Sequence, residues 1–252
     1  MSEITAHSAV MMSRGIRLWR RTVDALILSL ALPVMLMLTF VYLFGGAISP
    51  GGGYVNYVVA GVILVCVGFA SAQTAVSVAQ DMRSGVVDRL RSMNVSGAAQ
   101  LSGHVTASVL RNAVATSMVV GVALAIGFRP RPTLLGALAA AGLVLAFATA
   151  LSWVSAVLGL LAREPEAASG LAFFVSFLAY PSSAFVPVES ITPAWLRAFA
   201  EHQPVTHVVQ SMRGLLLGGP VADHAWPALA WSAGLTVASM VAAAVLYRRH
   251  TA

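Results

Sequence analysis

Six long runs of this chain are almost free of charge, and each is long enough to cross a lipid bilayer as a helix. They are 25–44, 54–79, 105–128, 133–162, 167–188 and 226–247, and Arg111 is the only charged residue inside any of them. About 20 apolar residues in a helix span the roughly 30 Å hydrocarbon core. In that medium every backbone N–H and C=O must be bonded within the protein. An all-α membrane protein with six transmembrane helices is therefore the expected fold. The composition agrees: of 252 residues, 58% are hydrophobic and only 10% are charged, against about 25% charged in soluble domains. The first run starts at 25 with no small-residue cleavage pattern after it, so it reads as a retained span and not a signal segment.

The net charge of +6 raises nucleic acid as a partner, and the placement of the arginines argues against it. They stand in short clusters beside the apolar runs, which is the pattern of a membrane surface. Six crossings put Arg129, Arg131, Arg197 and Arg213 on one side and the other eleven arginines on the opposite side with both termini. The positive-inside rule then predicts cytoplasmic termini. Arg111, about one and a half turns into the third run, is within snorkelling reach of that surface. No lysine occurs anywhere, which excludes a phosphate-binding loop lysine and Schiff-base chemistry. The lone Cys66 excludes an intrachain disulfide and a cysteine metal cluster, and reads as a small buried hydrophobe.

Three segments outside the runs are patterned. Residues 1–24 carry Met12, Ile16, Trp19 and Val23 on one helical face and Arg14, Arg17 and Arg21 on another. This suits a helix lying in the membrane interface; a plain basic tail is the alternative. In the connection 80–104, Met82, Val86, Leu90 and Met93 recur at helical spacing, with Asp81, Arg83, Asp88, Arg89 and Arg91 around them. A short amphipathic helix is expected there, either a linker or a docking element. Segment 189–224 is too apolar for a plain loop. Prolines 193 and 204 mark the starts of two short helices, and Gly218-Gly219 ends the second. Neither is long enough to span, so both are expected as re-entrant elements.

Chemistry is scarce. There is no nucleophile–base pair, no paired intramembrane Asp and no His-Glu-x-x-His, and the six histidines sit at run edges or in loops. Ion coupling ordinarily places charge inside the bilayer, and apart from Arg111 near one end these runs hold only neutral polar groups, among them Asn56, Gln73, Ser77, Ser176 and Tyr180. They suit an apolar path with a few hydrogen-bonding points.

The run Tyr180-Pro181-Ser182-Ser183-Ala184-Phe185-Val186-Pro187-Val188-Glu189-Ser190-Ile191-Thr192-Pro193-Ala194-Trp195-Leu196, with Gln203-Pro204-Val205-Thr206 and Arg213-Gly214-Leu215-Leu216 after it, resembles the C-terminal signature of type-2 ABC exporter permeases of the daunorubicin-resistance type. Gln80-Asp81-Met82-Arg83 through Asp88-Arg89-Leu90-Arg91 is similar to that family's charged cytoplasmic element, with Asp88 where Glu is commoner. The resemblance implies a permease in the bacterial plasma membrane that exports hydrophobic or amphiphilic small molecules, pairing with a second permease chain and with cytoplasmic ATPase subunits that hold ATP and Mg. It implies no catalysis, cofactor, metal or nucleic acid on this chain. Implied roles are coupling for Asp81, Arg83, Asp88, Arg89, Leu90 and Arg91, helped by the interfacial Arg14, Arg17, Trp19 and Arg21. Asn56, Gln73, Ser77, Phe173, Ser176 and Tyr180 become pathway candidates; Phe185, Pro187, Trp195, Phe199 and Met212 become the outer gate. An accessory membrane subunit without its own transport path is the alternative.

Overall fold

The computed structural model describes residues 23–45, 53–84, 97–162 and 164–251, and among them there are eight α-helices and no strand. Helix α1 (Val23–Leu38) continues into a π-helical stretch, Thr39–Phe44. Then follow α2 (Tyr54–Arg83), α3 (Gly97–Ala125), α4 (Leu134–Leu161), α5 (Pro165–Phe177), α6 (Ala194–His202), α7 (Pro204–Leu217) and α8 (Ala222–Thr251). Four of these, α2, α3, α4 and most of α8, are long and apolar enough to cross a membrane.

The centre of the fold is α2, which packs on α1, α3, α4, α5 and α7. Of its most apolar 18-residue window 72% is buried inside the molecule, against 17% for α8, which lies at the periphery against α4 and α7. Small residues let α2 approach its neighbours this closely. A Cβ at Gly61 would stand 2.4 Å from the Ala184 carbonyl oxygen, and one on Gly159 of α4 would stand 2.5 Å from the Ala75 carbonyl oxygen. In lipid, where apolar burial drives little association, such backbone proximity is a main source of helix adhesion.

Several boundaries differ from the sequence expectation. Helix α2 runs on to Arg83 and α3 already begins at Gly97. Residues 80–83 and 97–104 of the expected amphipathic connection thus belong to the two long helices, and 85–96, with Asp88, Arg89, Leu90 and Arg91, lies outside the described residues. So do Arg14, Arg17, Trp19 and Arg21. The fifth run is not one helix over 167–188. Helix α5 stops at Phe177 after 13 residues, about 20 Å of rise. The cause is Pro181, which has no N–H to give the Phe177 carbonyl and whose ring would collide with it; Tyr180 N donates there instead, at 3.0 Å. The expected short helices after Pro193 and Pro204 are both present, and Gly218 closes α7 in a left-handed conformation, φ 82°.

Candidate functional site

Beyond Phe177 the backbone turns through 178–187 without a helical ladder, yet its centre, 182–185, is buried. Side chains from two other helices take over the bonding. From α2, the Tyr54 hydroxyl donates to the Phe185 carbonyl at 2.7 Å and the Tyr57 hydroxyl to the Ser183 carbonyl at 3.0 Å. From α7, Arg213 Nη2 donates to the Ser183 and Ala184 carbonyls at 2.7 and 3.0 Å. Arg213 Nε reaches the Tyr57 carbonyl at 3.0 Å, and the guanidinium lies over the Tyr57 ring, 3.5 Å from its centroid. Gln203 Nε2 donates to the Pro181 carbonyl, and Thr206 Oγ1 accepts from Ser183 N at 3.2 Å. Non-helical backbone is tolerated at membrane depth only when buried and bonded in this way.

A second polar cluster lies farther along α2, between intact helices. Asn112 Nδ2 of α3 donates to Ser71 Oγ of α2 at 3.2 Å and to the Ser108 carbonyl at 3.0 Å. Ser152 Oγ of α4 meets Ser108 Oγ at 2.9 Å. Arg111 does not snorkel along its own helix: Nε donates to the Ala70 carbonyl at 3.2 Å and Nη2 to Thr74 Oγ1 at 3.4 Å, both across on α2. At the far end of α2, Asp81 Oδ2 pairs with His104 Nε2 at 3.0 Å, and Arg83 pairs with Glu164 at 3.3 Å.

Seven aromatic rings form a continuous ladder beside the break. The successive centroid separations from Phe69 through Phe173, Phe177, Tyr180, Phe185 and Phe40 to Phe44 run from 4.4 to 6.4 Å. Phe173 and Phe177 are about half exposed, at 49% and 48%, whereas Phe185 is buried. The ladder therefore leads from the surface of α5 through the stapled break and out again to exposed Phe44.

The sequence-derived candidates divide. Phe173, Tyr180 and Phe185 come together in the ladder, with Ser176 buried behind it and bonded to the Ala172 carbonyl. Phe185 and Met212 share the main apolar core. Asn56 instead fastens the α3–α4 connection, its Oδ1 accepting from Arg129 N at 3.1 Å. Gln73 is exposed, and Ser77 Oγ bonds to the Gln73 carbonyl. Pro187, Trp195 and Phe199 are exposed, away from that core. Sequence reading missed Tyr54, Tyr57, Gln203 and Arg213 as a bonded group. The available signal was an arginine in the apolar face of a short helix following a proline-broken run.

The family model described as ABC-2 type transporter matches residues 7–217, from the N-terminal segment to the last residue of α7. The chain belongs to the ABC-2 type transporter family. It is thus a multi-pass membrane protein and the permease component of an ABC transporter. Among curated relatives it is 32% identical over 223 residues to the daunorubicin resistance ABC transporter permease protein DrrB1 of Streptomyces coeruleorubidus, covering 88% of this chain and 78% of the relative. It is 26% identical over 250 residues to the probable doxorubicin resistance ABC transporter permease protein DrrC of Mycobacterium tuberculosis, covering 97% of this chain and 89% of the relative. The ABC-2 match ends where the helix carrying Arg213 ends, so it includes the whole stapled break.

Proposed function

We propose that this permease exports flat, amphiphilic, ring-containing molecules across a bacterial plasma membrane, driven by ATP hydrolysis on separate cytoplasmic subunits. The observation that carries the reading is the aromatic ladder. Its exposed rings on α5 offer stacking faces to a molecule dissolved in lipid, and its buried middle ring, Phe185, belongs to the break. Ring pairs in offset or edge-to-face geometry contribute about 0.5–1.5 kcal/mol each beyond burial, which favours aromatic cargo without requiring charge. The two relatives, named for daunorubicin and doxorubicin resistance, support the same class.

In this reading α1, α2, α3, α4, α5 with its break, and α8 make six crossings. Residues 1–24 form the interfacial segment and 25–252 the permease domain, with both termini cytoplasmic and α6 and α7 on the outer side. Two cytoplasmic ATPase subunits dock on the connection 80–104, where Asp81, Arg83, Asp88, Arg89, Leu90 and Arg91 receive their motion. The Asp81–His104 and Arg83–Glu164 pairs would pass it from α2 to α3 and α5 as a rigid shift between two packings. A second permease chain completes the path along the exposed face of α5, and Phe185 with Met212 closes its outer end.

The test is kinetic. In inverted vesicles holding the permease and its ATPase subunit, Phe173→Ala and Tyr180→Ala should raise the KM for a fluorescent polycyclic substrate and leave basal ATPase activity intact. Unchanged KM in both variants would remove the ladder from the path.

A further inference from the structure

The guanidinium of Arg213 joins three separate pieces of backbone: its own helix α7, the first turns of α2 through the Tyr57 carbonyl, and the break through the Ser183 and Ala184 carbonyls. It is about nine-tenths buried. The contact it holds shut is a close one, since Ala184 lies directly over Gly61 of α2 and leaves no room there for a Cβ. Three buried polar atoms in this one place have no hydrogen-bond partner: Arg213 Nη1, Ser183 Oγ and Gln203 Oε1. They are a guanidinium nitrogen, a hydroxyl and an amide oxygen, each on a residue that is otherwise bonded into the break. Buried groups of this kind raise the free energy of the conformation that strands them, so the segment is poised to exchange one set of bonds for another. Arginine suits the task because its planar fork offers five donors and keeps its charge.

We propose that Arg213 is the latch of the outer break, a positioning residue that holds 183–185 against α2 in the closed state and releases it when the path opens. The proposal rests on the exporter reading and adds the residue that sets the opening equilibrium. Exposed Arg197, ion-paired with Glu201 on α6 at 2.9 Å, makes a matched arginine control.

The experiment reads thiol accessibility in membranes of cells producing the full-length chain with its ATPase subunit, using a membrane-impermeant maleimide added outside. A Ser183→Cys reporter in a Cys66→Ala background should label slowly. Adding Arg213→Gln should speed labelling about tenfold or more, the equivalent of losing one charge-assisted bond. Arg213→Lys, a single point donor, should fall between, and Arg197→Gln should change nothing. Native Cys66, buried in α2, should stay unreactive in the Arg213→Gln chain and so report an intact core. If Cys66 also became reactive in the Gln and Lys variants, Arg213 would be general fold support and the latch would be overturned. Labelling at 183 that ignored Arg213 in a wild-type background that exports would overturn it too. The readout needs no substrate, so a chain that shows the latch yet exports nothing would instead overturn the exporter reading.

Discussion

The two polar clusters along α2 differ in the backbone they serve. The inner one, midway along α2, joins Ser71, Ser108, Asn112 and Ser152 by short side chains between continuous helices, with Arg111 beside them, while the outer one lies at the start of α2. The outer one uses long side chains, Tyr54, Tyr57, Gln203 and Arg213, on carbonyls that have no helical partner. Deleting an inner bond leaves every helix intact, whereas deleting an outer bond leaves a buried carbonyl short of its donor. The inner cluster is adhesion between rigid rods, and the outer one is a set of fasteners on a segment with no helical ladder of its own.

The largest expected effect comes from driving the outer contact apart. Gly61→Val puts side-chain carbons where the Ala184 carbonyl stands, an overpacking that costs about 1–3 kcal/mol or more. Export should fall below detection while the chain still reaches the membrane, measured as drug accumulation alongside protein abundance.

Next come single outer bonds. Tyr54→Phe strips the hydroxyl from the Phe185 carbonyl, and Tyr57→Phe strips one from the Ser183 carbonyl, which Arg213 also serves. Tyr54→Phe should therefore destabilise more, by about 1 kcal/mol or above against a smaller loss for Tyr57→Phe, read from thermal unfolding in detergent. Equal losses would mean that the Arg213 and Tyr57 bonds to Ser183 do not back each other up.

The inner cluster should respond less. Asn112→Ala and Ser71→Ala, alone and together, should show a coupling near the roughly 0.6 kcal/mol average for interhelical bonds in membranes, with export almost unchanged. A coupling as large as the outer ones would erase the distinction between the clusters.

The smallest effect is pH-dependent and sits beside the outer cluster, where His207 Nδ1 of α7 faces His224 Nδ1 of α8 at 3.3 Å. Burial, then the nearby His224 and His202, holds the His207 imidazole below its ordinary pKa. The unfolded chain then takes up its proton first, so the stabilisation is complete above about pH 6.5 and is lost as pH falls through the depressed folded value. Melting temperatures at about pH 7.5 and 5.5 should drop more for the wild type than for His207→Gln; equal drops would clear His207.

Much of this was legible from the sequence because proline, glycine and apolar length act locally. Pro193, Pro204 and Gly218 mark helix ends by backbone chemistry alone, and 133–162 matches α4 within a residue at each end. What escaped depends on partners distant in sequence. Asp81 and Arg83 read as the start of a solvated connection, but His104 and Glu164 meet them and the helix carries on beneath them. Asn56 read as a path-lining amide because its partner, Arg129 N, is 73 residues away. Arg213 read as one more charge on the outer surface, since nothing within α7 shows that three carbonyls wait for it on other segments.

The central claim is that energy enters this chain from an ATPase subunit and leaves as outward movement of an aromatic amphiphile. The most direct measurement is uptake of a fluorescent polycyclic drug into inverted vesicles holding the permease with its ATPase partner, active or inactivated in its hydrolytic residue. The account predicts ATP-dependent uptake that disappears when the partner is inactivated. Uptake that persisted undiminished with the inactive partner would contradict it.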